Sequence, residues 1–144
     1  NQSAESFGSQ CIVGAVDVLR RPEVEGEVPA WEIYINGGRK ATGIDALEWV
    51  EELVDRGAGE LVLNSIDADG TREGYDLALN QEVARRVRVP IVASGGAGNL
   101  DHIHDVLTVG EASAALAASI FHFQQYSIPE VKDFLRERGV VVRQ

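Results

Sequence analysis

The sequence has little cysteine, no long apolar run and few basic side chains, and each shortage excludes a class of protein. Its only cysteine is Cys11, so one chain cannot form a disulfide framework, and a reducing compartment, the cytoplasm, is expected. No apolar run approaches the ~20 residues that span a bilayer, and the opening residues lack a signal-peptide pattern. With 13 Lys and Arg against 23 Asp and Glu, the net charge is −10, so neither nucleic acid nor a membrane is expected as a partner.

Short apolar runs alternate with segments of helical periodicity along the 144 residues. The runs of strand length are CIVGAV (11–16), ELVLNS (60–65), IVAS (91–94) and ASAALAAS (112–119). The helices are expected to begin at the capping residues Asp45, Asp76, Asn99 and Ser127. An exposed strand, WEIYI (31–35), is predicted in an excursion after the first run. Strand and helix repeated four times predict one α/β domain, residues 1–144, with a parallel sheet.

The stretch IVASGGAGN (91–99) joins a predicted strand to a predicted helix with very little side chain. Ligands of parallel α/β proteins bind where the strands end. Glycines allow main-chain N–H groups to approach an oxyanion closely, and AAS (117–119) follows the neighbouring strand. The sequence therefore predicts a phosphate site here, although a tight turn required only for packing is an alternative that the pattern leaves open.

Three long motifs resemble one family. LNSIDADGTREGYD (63–76), IVASGGAGN (91–99) and AALAASIFHF (114–123) are similar to the cyclase subunit of imidazole glycerol phosphate synthase, an enzyme of histidine biosynthesis. That family folds as a (βα)8 TIM barrel, and the chain resembles its second half, strands five to eight. The resemblance implies a (βα)4 half-barrel of parallel strands, with residues 1–10 at the end of the preceding helix.

The resemblance also implies an activity. The family condenses ammonia, supplied by a glutaminase subunit, with a phosphorylated aminoimidazole carboxamide nucleotide to give imidazole glycerol phosphate. Asp17 and Asp69 match acid–base residues, and Glu60 matches a charged residue of the ammonia gate. Residues at or near the phosphate contacts of the family are Asn64, Gly70, Gly95, Gly96, Ala118 and Ser119. No cofactor is implied, and the three histidines lack the spacing of metal ligands.

Simpler roles exist for several of these residues. Asp67 and Asp69 can serve only to hydrogen-bond the turn that Gly70 permits. Asp17 can be a solvated loop residue, and Glu60 an ordinary surface charge. Cys11 is expected to pack inside a buried strand. Gly14 stands where the family usually has a bulky aliphatic residue, so we expect it to leave volume unfilled.

A half-barrel is incomplete by itself. Four strands would expose two sheet edges and the apolar inner layer, which predicts a homodimer, or a higher assembly, that completes a barrel and places two copies of Asp17 at one end. An N-terminal half-barrel is the other candidate partner, and an open sheet with helices on both faces is the alternative fold. The alternative function is a non-catalytic phosphate-binding module or structural scaffold, excised or designed.

Overall fold

The computed structural model describes residues 1–22 and 28–143. These residues form a six-stranded sheet with helices packed on it. The strands are β1 (Val13–Arg20), β2 (Trp31–Ile35), β3 (Lys40–Asp45), β4 (Glu60–Ser65), β5 (Ile91–Ser94) and β6 (Ala114–Leu116). They lie in the order β3-β2-β1-β4-β5-β6. The strands β1, β4, β5 and β6 are parallel, and the β2–β3 hairpin joins β1 antiparallel. The predicted α/β half-barrel is confirmed, and it is not closed.

Four helices begin at the capping residues that the sequence predicts, whereas α5 begins inside a segment that was predicted as a strand. They are α1 (Gln2–Phe7), α2 (Ala46–Asp55), α3 (Leu77–Arg86), α4 (Leu100–Thr108), α5 (Ser119–His122) and α6 (Ile128–Glu137). Side chains of Asp45, Asp76, Asn99 and Ser127 accept amide hydrogen bonds at the starts of α2, α3, α4 and α6, which satisfies donors that the helix itself leaves unpaired. No helix within the described ranges is long and apolar enough to cross a membrane.

Helices cover one face of the parallel sheet. Alternate strand residues are buried against them, namely Val16, Val18, Leu61, Leu63, Ile91 and Ala93. On the opposite face, Ala15 is exposed, and Val62 and Val92 are only half-buried. Because a doubly wound sheet would bury both faces, the alternative of helices on two sides is wrong. The open face is the layer that would line the interior of a barrel.

The two ends of the sheet differ, and we call them the hairpin flank (β2 and β3) and the β6 flank (β6, α5 and α6). On the hairpin flank, Trp31 is fully buried, and its indole Nε1–H donates to Asp76 Oδ2 at 2.8 Å. The other oxygen of Asp76 accepts from the Leu79 amide at the start of α3. The expectation of an exposed strand at 31–35 is therefore wrong for its inward side, where Trp31 and Ile33 belong to the core.

Strand lengths also differ from the prediction. The first strand does not end at Asp17 but continues to Arg20, because residues 17–20 pair with β2. The hairpin thus covers half of the edge that was expected to be free, and residues 13–16 remain uncovered by it. At the other end, β6 has three residues instead of the predicted eight, since Ser119 already begins α5. Leu116, at the end of β6, is 46% exposed.

Two packing expectations are wrong. Cys11 is exposed and lies in a 3-10 turn, Ser9–Cys11, before the first strand begins. Gly14 leaves no unfilled volume, because a Cβ there would lie 3.1 Å from Leu61 Cδ2 and 3.3 Å from Leu53 Cδ1. Leu53 and Leu61 fill the space that a larger side chain at position 14 would take.

Candidate functional site

A row of polar side chains crosses the open face near the carboxyl ends of β4 and β5, and it reaches β1 at Asp17, three residues before that strand ends. Asp17, Asn64 and Ser94 lie opposite one another in the parallel register. Asn64 Nδ2 donates to Asp17 Oδ1 at 2.9 Å, and the Ser94 hydroxyl donates to Asn64 Oδ1 at 3.2 Å. The amide of Asn64 thus orients the Asp17 carboxylate through one hydrogen bond and leaves its other oxygen available for proton exchange.

A cleft of about 120 Å³ opens beside this row, at the carboxyl ends of the strands. Three loops line it, those that follow β4, β5 and β6. Their lining residues are Asp69, Gly70, Arg72, Ser94, Gly95, Gly96, Ala97, Leu116, Ala117, Ala118 and Ser119. The structure therefore brings together Asp69 and five of the six residues that the sequence associates with phosphate. The sixth, Asn64, lies in the polar row, and Ser94 belongs to both the row and the cleft.

Packing alone requires glycine at two positions of the cleft. Gly95 and Gly96 have φ values of 94° and 102°, which side chains rarely tolerate. A Cβ on Gly95 would lie 2.6 Å from the Ser65 carbonyl oxygen, and one on Gly96 would lie 1.9 Å from the Gly74 carbonyl oxygen. In addition, the Gly74 amide donates to the Gly96 carbonyl at 2.9 Å. The loops after β4 and β5 are therefore in backbone contact, so these glycines are needed with or without a ligand.

Tyr75 fixes the third loop. Its buried hydroxyl donates to the Leu116 carbonyl at 3.0 Å, immediately before the small residues Ala117 and Ala118. Burial raises the pKa of Tyr75, so the phenol stays protonated and remains a donor. Ala118 precedes α5 without a side-chain cap hydrogen bond, and its side chain on the cleft wall is only a methyl group. The buried phenol thus holds the end of β6 in place beside the glycines.

Sequence reasoning missed Arg72 and Gln125. Arg72 lines the cleft, and its guanidinium donates to Gln125 Oε1 at 3.2 Å. Gln125 Nε2 in turn donates to the Gly98 carbonyl at 3.2 Å. Arg72 stands inside the motif LNSIDADGTREGYD, so its charge was visible. Gln125 carried no signal, since it lies 53 residues away from Arg72 in the chain.

The two acidic residues after β4 have different surroundings. The Ser65 hydroxyl donates to Asp67 Oδ1 at 3.0 Å, so Asp67 stabilises the turn, as the simpler alternative proposed. Asp69 instead lines the cleft with an exposed side chain, while its amide donates to the Ser65 carbonyl at 2.9 Å. Only Asp69 is therefore placed to meet a ligand in the cleft.

Glu60 lies at the opposite end of β4. It pairs with Val13 and is half-buried. Strand alternation puts Glu60 on the same open face as Val62 and Asn64, roughly 13 Å below Asn64 at ~3.3 Å per residue. No group of three or more His, Cys, Asp or Glu in the described ranges could hold a metal ion.

The fold and the site together define a class of protein. It is an open α/β half-barrel with a glycine-lined cleft at the carboxyl ends of its strands. The chain belongs to the histidine biosynthesis protein family, whose model matches residues 1–127. It is 57% identical over 143 residues to the imidazole glycerol phosphate synthase subunit HisF of Symbiobacterium thermophilum, covering 99% of this chain and 54% of that protein.

Two other curated relatives have the same name. The HisF subunit of Microcystis aeruginosa is 53% identical over 99% of the chain and 56% of its own length. That of Thermosynechococcus vestitus is 49% identical over 100% of the chain and 51% of its own length. The chain thus spans about half the length of these relatives, and it corresponds to their C-terminal half.

Proposed function

We propose that the chain is the phosphate-binding half of an imidazole glycerol phosphate synthase cyclase. In this proposal it binds a phosphorylated aminoimidazole carboxamide nucleotide, which reacts with ammonia to give imidazole glycerol phosphate and to release an aminoimidazole carboxamide ribonucleotide. The half alone has weak or no turnover. One observation supports the proposal: the cleft lined by Gly95, Gly96, Ala118 and Ser119 opens beside the polar row that contains Asp17, at the carboxyl ends of the strands. A phosphate in the cleft would hold the rest of a nucleotide over that row.

The roles follow from this placement. Asp17, oriented by Asn64, and Asp69, on the cleft wall, would move protons while the ring closes and the C–N bond breaks. The loop backbones at Gly70, Gly95, Gly96, Ala118 and Ser119 would surround the phosphate. In this scheme Asn64 acts from the row, through Asp17 and Ser94. Glu60 would form part of the gate through which ammonia from a glutaminase subunit enters, at the amino-terminal end of the strands on the open face.

The test combines binding with turnover. Calorimetric titration with inorganic phosphate should show saturable binding by this chain alone. Turnover of the nucleotide with ammonium, followed by mass spectrometry, should appear or rise when an N-terminal half-barrel is added. Asp17→Asn should abolish that turnover and leave phosphate affinity unchanged. A chain that binds no phosphate, or an Asp17→Asn variant that loses both, would contradict the proposal.

The open face and the β6 edge support self-association as a part of this proposal. Val13 is 51% exposed and Leu116 is 46% exposed, and β6 pairs only with β5 among the described strands. A second copy related by a two-fold axis would cover these groups and bring a second Asp17 to the same end. Light scattering after size exclusion should report a dimer or a higher assembly.

Leu116→Lys should weaken that assembly, because a charge would replace an apolar contact. Val109→Lys is the matched control, since Val109 is 51% exposed, close to the 46% of Leu116, and ends a helix instead of an edge strand. A monomer at every concentration, or equal effects of the two variants, would contradict self-association through this edge.

A second candidate function is a phosphate-binding module without catalysis. The cleft favours it, because Asp69, the glycines after β5 and the small residues after β6 come together within one half-barrel. Phosphate binding without any turnover, even after an N-terminal half-barrel is added, would select this candidate over the cyclase half.

A further inference from the structure

The wall of the cleft carries one positive and one negative side chain. Among the lining residues Arg72 is the only cation, and Asp69 is the only anion. The whole chain has a net charge of −10, which disfavours the approach of a phosphate, and the carboxylate of Asp69 adds to that repulsion. A positive side chain on the wall would stabilise a phosphate dianion that binds here. If Arg72 pointed elsewhere, only the main-chain N–H dipoles would offset the negative charge of Asp69.

Arg72 is held in an uncommon conformation. Its φ is 63°, a left-handed backbone conformation that non-glycine residues seldom adopt. Gly98 packs directly on its backbone, since a Cβ on Gly98 would lie 2.1 Å from the Arg72 carbonyl oxygen. The backbone at position 72 is thus fixed by contact with the loop after β5, which limits where its side chain can reach.

Gln125 completes the arrangement. It accepts from the Arg72 guanidinium through Oε1 and donates to the Gly98 carbonyl through Nε2, both at 3.2 Å. One amide therefore connects the loops after β4 and β5, which contain Arg72 and Gly98, to the segment between α5 and α6, which contains Gln125. A glutamine fits this bridge because it has one acceptor and one donor group. Neutrality matters as well, because a carboxylate at position 125 would neutralise the arginine.

We propose that Arg72 is a direct cationic ligand of the anion in the cleft and that Gln125 is the positioning residue that aims it. This inference rests on the proposed phosphate binding and goes beyond it, because the family resemblance assigned no positively charged side chain to the site. The arginine supplies a charge-assisted hydrogen bond to a phosphate oxygen. The glutamine holds the guanidinium at the exposed rim of the cleft through the hydrogen bond between the two side chains.

The experiment is a double-mutant cycle with inorganic phosphate as the probe and calorimetry as the readout, on the whole chain. Arg72→Gln should lower phosphate affinity about three- to tenfold, the range for one charged hydrogen bond at a partly exposed site. Gln125→Leu should lower it about two- to threefold through misplacement of the arginine. In the Arg72→Gln background, Gln125→Leu should have no further effect.

Two controls separate charge from folding. Gln124→Leu, at the adjacent exposed position, should leave phosphate affinity unchanged, and all variants should melt within a few degrees of the parent. The affinity of the parent should fall more steeply with ionic strength than that of Arg72→Gln, since a charge contact is screened by salt. A merely structural role of Arg72 would not change that slope.

The outcomes are distinguishable. If the parent chain binds no phosphate, the proposed function and this inference fail together. If the parent binds but Arg72→Gln binds equally well, with the same salt slope, only this inference fails. If Gln125→Leu loses as much affinity in the Arg72→Gln background as in the parent, Gln125 braces the Gly98 loop independently and its role as the positioning residue is overturned.

Discussion

The two flanks of the sheet are held together by different kinds of contact. On the hairpin flank, large side chains fill the core, and an indole is hydrogen-bonded to a helix cap. On the β6 flank, the strand has three residues, its side chains are small or exposed, and a phenol–carbonyl bond and a glutamine bridge hold the loops. The contrast teaches that the sheet strands carry large core side chains on the first flank, whereas on the second the apolar packing comes from Ile120, Val131 and Leu135 of the helices and the strand end leaves room for a ligand.

Removing the largest core side chain tests this contrast most strongly. Trp31→Ala should lower the free energy of unfolding by about 4 kcal/mol, because it empties a large buried site and leaves one Asp76 oxygen without its donor. Phe123→Ala, at a residue 71% exposed on the β6 flank, should cost less than about 0.5 kcal/mol. Urea unfolding followed by circular dichroism measures both, and comparable losses would remove the distinction between the flanks.

The joint between the loops after β4 and β5 should be nearly as sensitive. Gly96→Ala should cost about 3 kcal/mol, because its Cβ would overlap the Gly74 carbonyl and its φ is 102°. Gly37→Ala is the matched control in the hairpin turn, with φ 67° and no atom within 4 Å of the new Cβ; it should cost about 1 kcal/mol. Thermal unfolding of both variants compares them, and equal losses would mean that backbone strain, not contact between loops, requires Gly96.

A smaller effect is expected at the phenol of the β6 flank. Tyr75→Phe should cost about 1 kcal/mol at neutral pH, because the Leu116 carbonyl loses its donor. Tyr34→Phe, on the half-buried side of the hairpin, should be neutral. Because burial raises the pKa of Tyr75 above its ordinary value of 10.0, its contribution is complete below about pH 10 and is lost as the pH rises towards the folded value. Unfolding at pH 8 and pH 11 tests this; an identical alkaline loss in Tyr75→Phe would contradict it.

The smallest effect is expected at the start of α6. The Ser127 hydroxyl and then the Ser127 amide donate to Glu130, at 2.6 Å and 2.7 Å, and they lower the pKa of Glu130. The contribution is present above the ordinary value of 4.5 and is lost as the pH falls through the lowered folded value. Ser127→Ala should raise that pKa towards 4.5 in an NMR titration, and an unchanged pKa would show that the capping box does not form in solution.

Local signals predicted the parallel units well and the hairpin badly. The caps Asp45, Asp76, Asn99 and Ser127 were found because a cap and its helix are adjacent in sequence. Strand β3 was missed, since its residues KATGID are mostly polar and are stabilised by pairing with β2. The burial of Trp31 depends on Asp76, which is 45 residues away, and no local pattern reports such a partner.

The candidate site was predicted in the same uneven way. The motifs identified Asp69, Gly70 and the small residues of the cleft, because these residues stand in short contiguous stretches of the sequence. The placement of Asn64 beside Asp17 depends on strand register, which the sequence left open. The bridge from Arg72 to Gln125 depends on three loops meeting, and that meeting exists only in the folded chain.

The carboxylate of Asp76 has a consequence for how the molecule opens. One oxygen holds the hairpin and the other starts a helix, so fraying of either element weakens the anchorage of the other. Amide hydrogen exchange should therefore find the hairpin and that helix opening as one cooperative unit. Tyr75 directly precedes Asp76 in the chain. We therefore expect the hydrogen bond from Tyr75 to Leu116 of β6 to break when that unit opens.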